Sequence, residues 1–453
     1  MTKLTLTVLK SFCANISATT VAHKLFGGAV VVVCIASLSA CDSSNTDADS
    51  NDSMAAKEGA AVMTFSPRLM TPRIQPIDKD SPELNDEQRA MLDARPDYNL
   101  YKTLVHHIEL YNRWTPLGRQ LLNGSTLPAR DREIIMLRMG WLCQAEYEWA
   151  QHARIASAED IGMTAAEIQN IALGAEAASW SDWERTLITM VDELRYDTLI
   201  SDATWQKLRA NYSEQETMDA LFTAAQYQLV SMVLNSIGIQ LDPILDHRLP
   251  ADIPLPRLAD TPSTARLAQP RLAPLTENQW SEKQKQVVQP HIREDGSVLN
   301  LYATLLHHPD LFGPRYTFGS YLMRESSLPA KTRELIIMRT GWLIRAEYEW
   351  SHHDPIAKEA GLTAEQIRDI ALGPDAPEWS EEYRAVLRAV DELRREAFIG
   401  DDTWNTLAKY YDTKQLVEIL FTVGGYTMTG LAINSFGIQV EAGYPPFPEI
   451  PKG

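Results

Sequence analysis

The sequence predicts an all-α protein of two tandem helical domains, on three observations. One stretch occurs twice: Leu127–His152 and Leu328–His353 align at a constant offset of 201, and 16 of 26 positions are identical. The apolar residues of both copies follow helical spacing, with capping signals at the helix starts. No stretch alternates convincingly with period two, as a half-buried strand would. The copies have drifted elsewhere: over Trp205–Phe222 against Trp404–Phe421 only 5 of 18 positions agree. That contrast lies inside one chain and marks the repeated stretch as the more constrained part, through packing or chemistry.

The chain has 453 residues, enough for two or three domains, with 45% hydrophobic and 23% charged residues, as in an ordinary globular protein. Its net charge of −18 repels phosphate backbones and argues against nucleic-acid binding. No Gly-rich phosphate loop follows a strand-like run, so a nucleotide site has no support.

The first segment, 1–41, reads as an address. Lys3, Lys10 and Lys24 precede an apolar run, Leu25–Leu38, that is too short for a comfortable membrane span. The run ends in Leu38-Ser39-Ala40-Cys41, followed by Asp42. This resembles a bacterial lipoprotein signal. The resemblance implies cleavage before Cys41, lipidation of that residue, and a lipid anchor on the periplasmic side of the cell envelope, with Asp42 favouring the inner membrane. An uncleaved membrane anchor is the alternative. Residues 42–66 are mostly small and polar, cannot bury enough surface to offset ordering, and read as a flexible tether. Cys13 and Cys34 would leave with the signal, and Cys41 and Cys143 would remain. No intramolecular disulfide is expected, so stability must come from the core.

Two domains follow, 67–242 and 269–447, joined by a Pro-rich linker over 243–268 and followed by a tail at 448–453. Pro243, Pro250, Pro254, Pro256 and Pro262 predict an extended, semi-rigid connection. Within repeat one, Asn85-Asp86-Glu87 reads as a capped helix start, and helices are predicted over Asn99–His107 and Glu109–Leu122. Pro128 fits a first helical turn. Ile134–Leu142 is apolar almost all round, which predicts burial. Thr164–Glu167 and Thr363–Gln366 are capping boxes. Ser181–Tyr196, Asp202–Asn211 and Glu216–Leu234 complete seven or eight helices per repeat. From Gly162 and Gly361 onward the offset is 199, so repeat one carries two extra residues just after His152.

Glu148 and His152 are four apart, as are Glu349 and His353, so each pair shares a helix face. A carboxylate beside an imidazole favours the protonated ring, and such a pair can move a proton at neutral pH. The competing reading is an ion pair that only supports the helix. A zinc site is poorly supported, because Glu-x-x-x-His supplies two ligands. Arg138 and Arg339 interrupt the buried run and must be paired. Arg138 has Glu133, Glu148 or Asp192 as structural partners, or a substrate carboxylate as a functional one. His106-His107 and His307-His308 read as helix C-terminal histidines. Tyr227, Tyr426, Asn235 and Asn434 are core groups or pocket lining, and the sequence does not decide which.

Leu-Pro-x-x-x-Arg-Glu, then Glu-Tyr-Glu-Trp-x-x-His, then Gly-Met/Leu-Thr resembles the carboxymuconolactone decarboxylase family of the alkylhydroperoxidase D-like superfamily, over about Pro72–Gln240 and Pro270–Gln439. The peroxidase branch has Cys-x-x-Cys and then His four residues later. Those cysteine positions are Ala145 and Glu148 here, and Ala346 and Glu349 in the second copy, which contradicts disulfide-cycling chemistry. The decarboxylase branch implies a small carboxylated lactone as substrate and no metal or organic cofactor. It implies His152 and His353 as acid/base, with Glu133, Glu148, Glu334 and Glu349 as proton partners. It implies Arg132, Arg138, Arg333 and Arg339, with Tyr147, Trp149, Tyr348 and Trp350, as substrate-binding residues. Relatives form trimers or hexamers, so the resemblance implies two repeats packed as a pseudo-dimer within a homo-oligomer, a trimer of tandem chains. Peroxidase activity through Cys143 alone and a non-catalytic tethered binding protein are the alternatives.

Overall fold

Most helices of repeat one begin at a residue that breaks or caps them. The computed structural model describes residues 68–250, 252–255, 258–259, 262 and 264–448. The expected signal segment, Cys41, the expected tether and the end of the tail lie outside the described residues. Repeat one runs through α1 (Asp86–Asp93), α2 (Asn99–Leu104), α3 (Ile108–Asn123), α4 (Ala129–Leu142), α5 (Glu146–Ala156), α6 (Ala165–Leu173), α7 (Asp182–Tyr196), α8 (Asp202–Asn211) and α9 (Glu214–Ile237). Asn85, Thr164, Ser181 and Ser213 close capping boxes at α1, α6, α7 and α9, each satisfying orphan N–H groups. Pro128 is the residue before α4 rather than inside its first turn.

Repeat two repeats the order: α10 (Glu282–Val288), α11 (Asn300–Leu305), α12 (Pro309–Arg324), α13 (Ala330–Leu343), α14 (Glu347–Glu359), α15 (Ala364–Leu372), α16 (Glu381–Glu396), α17 (Asp401–Leu407) and α18 (Thr413–Phe436). Among the described residues there is no strand, so the all-α expectation holds. Each repeat has nine α-helices among the described residues, against the expected seven or eight, and the run from Asn99 ends at Leu104 in a 3₁₀ turn, Val105–His107. The two extra residues of repeat one fall in the loop after α5; in repeat two, α14 continues to Glu359 and the loop is shorter.

The repeats pack through α9 against α18 and α3 against α12. A Cβ at Gly424 would lie 2.4 Å from Leu229 Cγ, so glycine sets how closely α18 approaches α9. The contact is reciprocal, as a two-fold interface requires. Arg195 donates to the carbonyls of Arg394 (2.7 Å) and Arg395 (2.9 Å), and Arg394 donates to those of Arg195 (2.8 Å) and Tyr196 (3.3 Å). Each guanidinium thus caps the negative C-terminal end of the other repeat's helix. Asn235 donates to Cys143 and Ala397 carbonyls, and Asn434 to Ile344 and Thr198 carbonyls.

His107 pairs with Glu418 (3.0 Å) and His308 with Asp219 (3.1 Å), all buried. These histidines are inter-repeat contacts, not merely helix-end groups. Asp219 also accepts from the Thr126 N–H at 2.7 Å, and Glu418 from the Ser327 N–H at 2.9 Å. The interface therefore fixes the turns that lead into α4 and α13. α18 is long and apolar enough to cross a membrane, but its most apolar 18-residue stretch is wholly buried, as in a core helix. Among the described residues of the linker, Leu255 and Leu258 are buried and Arg266 donates to the Asp197 and Ile344 carbonyls.

Candidate active site

Three helices bring the site together in each repeat. α4 carries Glu133 one turn from its start, and Glu133 is fully buried. At the end of α4, Gln144 turns the chain with a left-handed backbone (φ 51°), and Arg345 does the same in repeat two (φ 58°). Non-glycine residues pay for that conformation, so it persists only where surrounding structure demands it. The turn sends α5 back across α4 at Gly140, where a Cβ would sit 3.2 Å from Glu148 Cγ. That close crossing lays Glu148 and His152 over Glu133. α9 adds Tyr227, whose ring meets the His152 ring edge-on at 4.8 Å.

His152 Nδ1 lies 2.7 Å from Glu133 Oε2, and Nε2 lies 3.1 Å from Glu148 Oε1. The buried imidazole is thus held between two carboxylates, one on each nitrogen. In repeat two, His353 Nδ1 lies 2.7 Å from Glu334 Oε2, and Nε2 lies 3.5 Å from Glu349 Oε1. Tyr426 takes the place of Tyr227, at 5.3 Å. The second arrangement is looser, and Glu349 Oε2 is buried without a hydrogen-bond partner.

Burial disfavours a charged imidazole, but Glu133 and then Glu148 outweigh it and push His152 from an ordinary 6.5 up to about 10. His353 moves the same way, against burial, through Glu334 and Glu349. Burial lifts the Glu349 carboxyl to about 7, with His353 and Arg315 pulling against it. The sign of the stability effect follows. Below pH 6.5 the His152 ring is protonated whether folded or unfolded, and its ion-pair stabilisation is fully present. As pH rises towards 10 the unfolded chain loses that proton first, so stability falls. The melting-temperature advantage of the native chain over His152→Gln is expected to shrink between pH 6.5 and 10. A gap that stays constant across that window would show an uncharged ring.

Each site opens onto its own cavity. The repeat-one cavity is about 230 Å³ and is lined by Tyr101, Trp114, Tyr147, Glu148, His152 and Tyr227 among others. The repeat-two cavity is about 400 Å³ and is lined by Tyr302, Arg315, Tyr348, Glu349, His353 and Tyr426 among others. Tyr147 is also tied to Asp242 (2.5 Å), and Tyr348 to Glu441 (3.1 Å). Among the described residues, no group of three or more His, Cys, Asp or Glu side chains is arranged to hold a metal ion.

Six residues assigned to substrate binding from the sequence line neither cavity. Arg138 forks onto Asp192 (2.6 and 2.9 Å) and caps α6 through the Ile171 and Ala172 carbonyls; Arg339 does the same with Asp391, Ile370 and Ala371. Arg132 and Arg333 stand behind the site, with Nε 3.9 Å and 3.5 Å from Glu133 and Glu334. Trp149 and Trp350 follow the cavity-facing Glu148 and Glu349 by one residue, about 100° around the helix, which turns them into the core. Conversely, Tyr101, Trp114, Tyr302 and Arg315 line the cavities without having been singled out. Their signal lay in the repeat alignment, where the offset of 201 sets Trp114 opposite Arg315.

The carboxymuconolactone decarboxylase family matches the chain at 109–193 and again at 309–392, covering Glu133 and Glu334 and the helix that carries the histidine in each copy. Both repeats are carboxymuconolactone decarboxylase family domains. Among solved structures, this tandem chain is similar to an uncharacterized peroxidase-related protein from Ralstonia eutropha with an alkylhydroperoxidase AhpD core. The identity is 17%, covering 38% of this chain and 93% of that one, with a TM-score of 0.33. It is also similar to the debrominase Bmp8 in complex with 2,3,4-tribromopyrrole (18% identity, 39% and 94% covered, TM-score 0.32). A peroxidase-related protein from Silicibacter matches at 14% identity (40% and 98% covered, TM-score 0.33). No curated protein matches the sequence. The two matched segments carry the same histidine and glutamates: Glu133, Glu148 and His152 in the first, Glu334, Glu349 and His353 in the second.

Proposed function

We propose that the chain is a cofactor-independent acid/base lyase, a decarboxylase or isomerase, acting on a small carboxylated or lactone substrate. The observation that carries this reading is the buried imidazole clamped between two carboxylates at a cavity wall. Such a ring stores a proton where it can meet a reacting carbon. In a decarboxylation the bond from carbon to the carboxylate breaks, carbon dioxide leaves, and the electron pair stays on carbon. The imidazolium then protonates that carbon and is recharged from solvent. Lipid on Cys41, and with it a place at the periplasmic side of the envelope, belongs to the same proposal, as does further assembly into a homo-oligomer.

A peroxidase would have to use Cys143. Its thiol is buried, its acidity is reduced by that burial, and it lines neither cavity. The test is carbon dioxide release from a panel of small carboxylated lactones, with the Cys143→Ser variant alongside. Turnover by both proteins at the same rate is the expected result. Loss of turnover in Cys143→Ser alone, at unchanged stability, would move the function to the thiol.

A further inference from the structure

The two cavities differ most at one pair of aligned positions. Repeat one has Trp114 on α3, and repeat two has Arg315 on α12. Arg315 is only 8% exposed and lines the larger cavity. Its guanidinium donates to the Thr429 hydroxyl and, at 3.4 Å, to the Gly425 carbonyl, both neutral. Among the described residues no carboxylate comes within ion-pair distance of it, whereas Arg138 and Arg339 each grip one. The Glu349 carboxyl acts on it only from beyond that distance, and a buried guanidinium without a close ion-pair partner is costly unless a ligand supplies the charge.

The surroundings make room for that charge. Gly425 stands where repeat one has Gln226, at the offset of 199. A Cβ at Gly319 would come 2.7 Å from Arg315 Nη1, so glycine there lets the guanidinium lie along the cavity wall. Arg293 and Arg324 also line this cavity, as Arg95 and Arg119 line the first, so the buried Arg315 is what the first cavity lacks. Its other wall is aromatic: Phe312 and Tyr316 stack with rings 6.3 Å apart, and Tyr302 meets both edge-on. Aromatic walls with one buried fork of donors suit a flat, unsaturated ring bearing a carboxylate.

We propose that Arg315 is the anion anchor of the second repeat, that this repeat takes a planar organic carboxylate against His353, and that the first repeat, with Trp114, takes none. This deepens the acid/base reading, on which it rests only for what happens to the ligand once bound.

The test measures binding rather than turnover, with 2-naphthoate and its uncharged counterpart 2-naphthamide as probes for the whole protein lacking residues 1–41. One naphthoate per chain is expected. Arg315→Met should weaken naphthoate by about ten- to a hundred-fold, as loss of a charge-assisted fork does, and leave naphthamide unmoved. Unliganded Arg315→Met should also melt no lower than the native chain, because it removes an unpaired buried charge; a structural arginine would lower the melting temperature. Arg315→Lys keeps the charge without the fork and should fall between native and Met. Two naphthoates per chain, no naphthoate bound, or equal affinity in the native and Met proteins would each overturn the proposal. His353→Asn should still bind naphthoate through Arg315. If the double variant His152→Asn with His353→Asn binds naphthoate and also keeps lactone turnover, the acid/base reading fails while the anion site stands.

Discussion

Changing His152 and His353 together to Asn is expected to lower turnover of the lyase substrate by about 10²–10⁴-fold, the usual contribution of a positioned general acid or base. Asn is the informative replacement. Its amide can still donate to Glu133 or Glu334, so neither fully buried carboxylate is left without a donor, and the fold should survive. What is lost is the titrating ring. The single variants then apportion the activity between repeats. The sites are not equivalent, because His152 lies 3.1 Å from Glu148 and His353 lies 3.5 Å from Glu349, whose carboxyl titrates near 7. If repeat two carries the reaction, His353→Asn alone should abolish it, and the pH profile of the His152→Asn protein should bend near neutrality. Turnover at the native level in the double variant would leave a binding role for both cavities and no acid/base chemistry.

Much of the fold was legible in the chain because its signals are local. The capping boxes at Thr164 and Thr363 mark helix starts within four residues, and the offset of 201 fixes one repeat from the other. The Glu–His pairs were legible for the same reason, since four residues along a helix settle which face they share. What the sequence hid was long-range. Arg138 and Arg315 both sit in helices among apolar neighbours, and nothing local says which has a partner. Asp192, 54 positions away on α7, holds the first; among the described residues no carboxylate lies within ion-pair distance of the second. The histidines at 107 and 308 were obscured in the same way, because their partners, Glu418 and Asp219, belong to the other repeat. The preserved stretch drew attention to one wall of each cavity. The opposite wall, on α3 and α12, had diverged, and the divergence itself held the information.

Arg138→Met is expected to destabilise the protein by roughly 3–5 kcal/mol, the usual result of removing one partner of a buried ion pair. Three losses combine. Asp192 is left without its counter-charge in a largely buried place, the Ile171 and Ala172 carbonyls at the end of α6 lose their donor, and the stacking of the guanidinium on Trp141 (4.8 Å) disappears. Urea unfolding measures the effect, and the double change Arg138→Met with Asp192→Leu should recover part of it by removing the orphaned charge as well. The kinetic outcome separates this role from the one first read in the sequence. A structural arginine leaves KM near its native value in the protein that remains folded, because it touches no part of the cavity. A substrate anchor would raise KM at unchanged stability, and Arg138 would then have to leave Asp192 to reach the ligand. The geometry opposes that: Nε and Nη2 are both committed to Asp192, Nη1 to two carbonyls, and Gly174 leaves only enough space for the guanidinium in its present place.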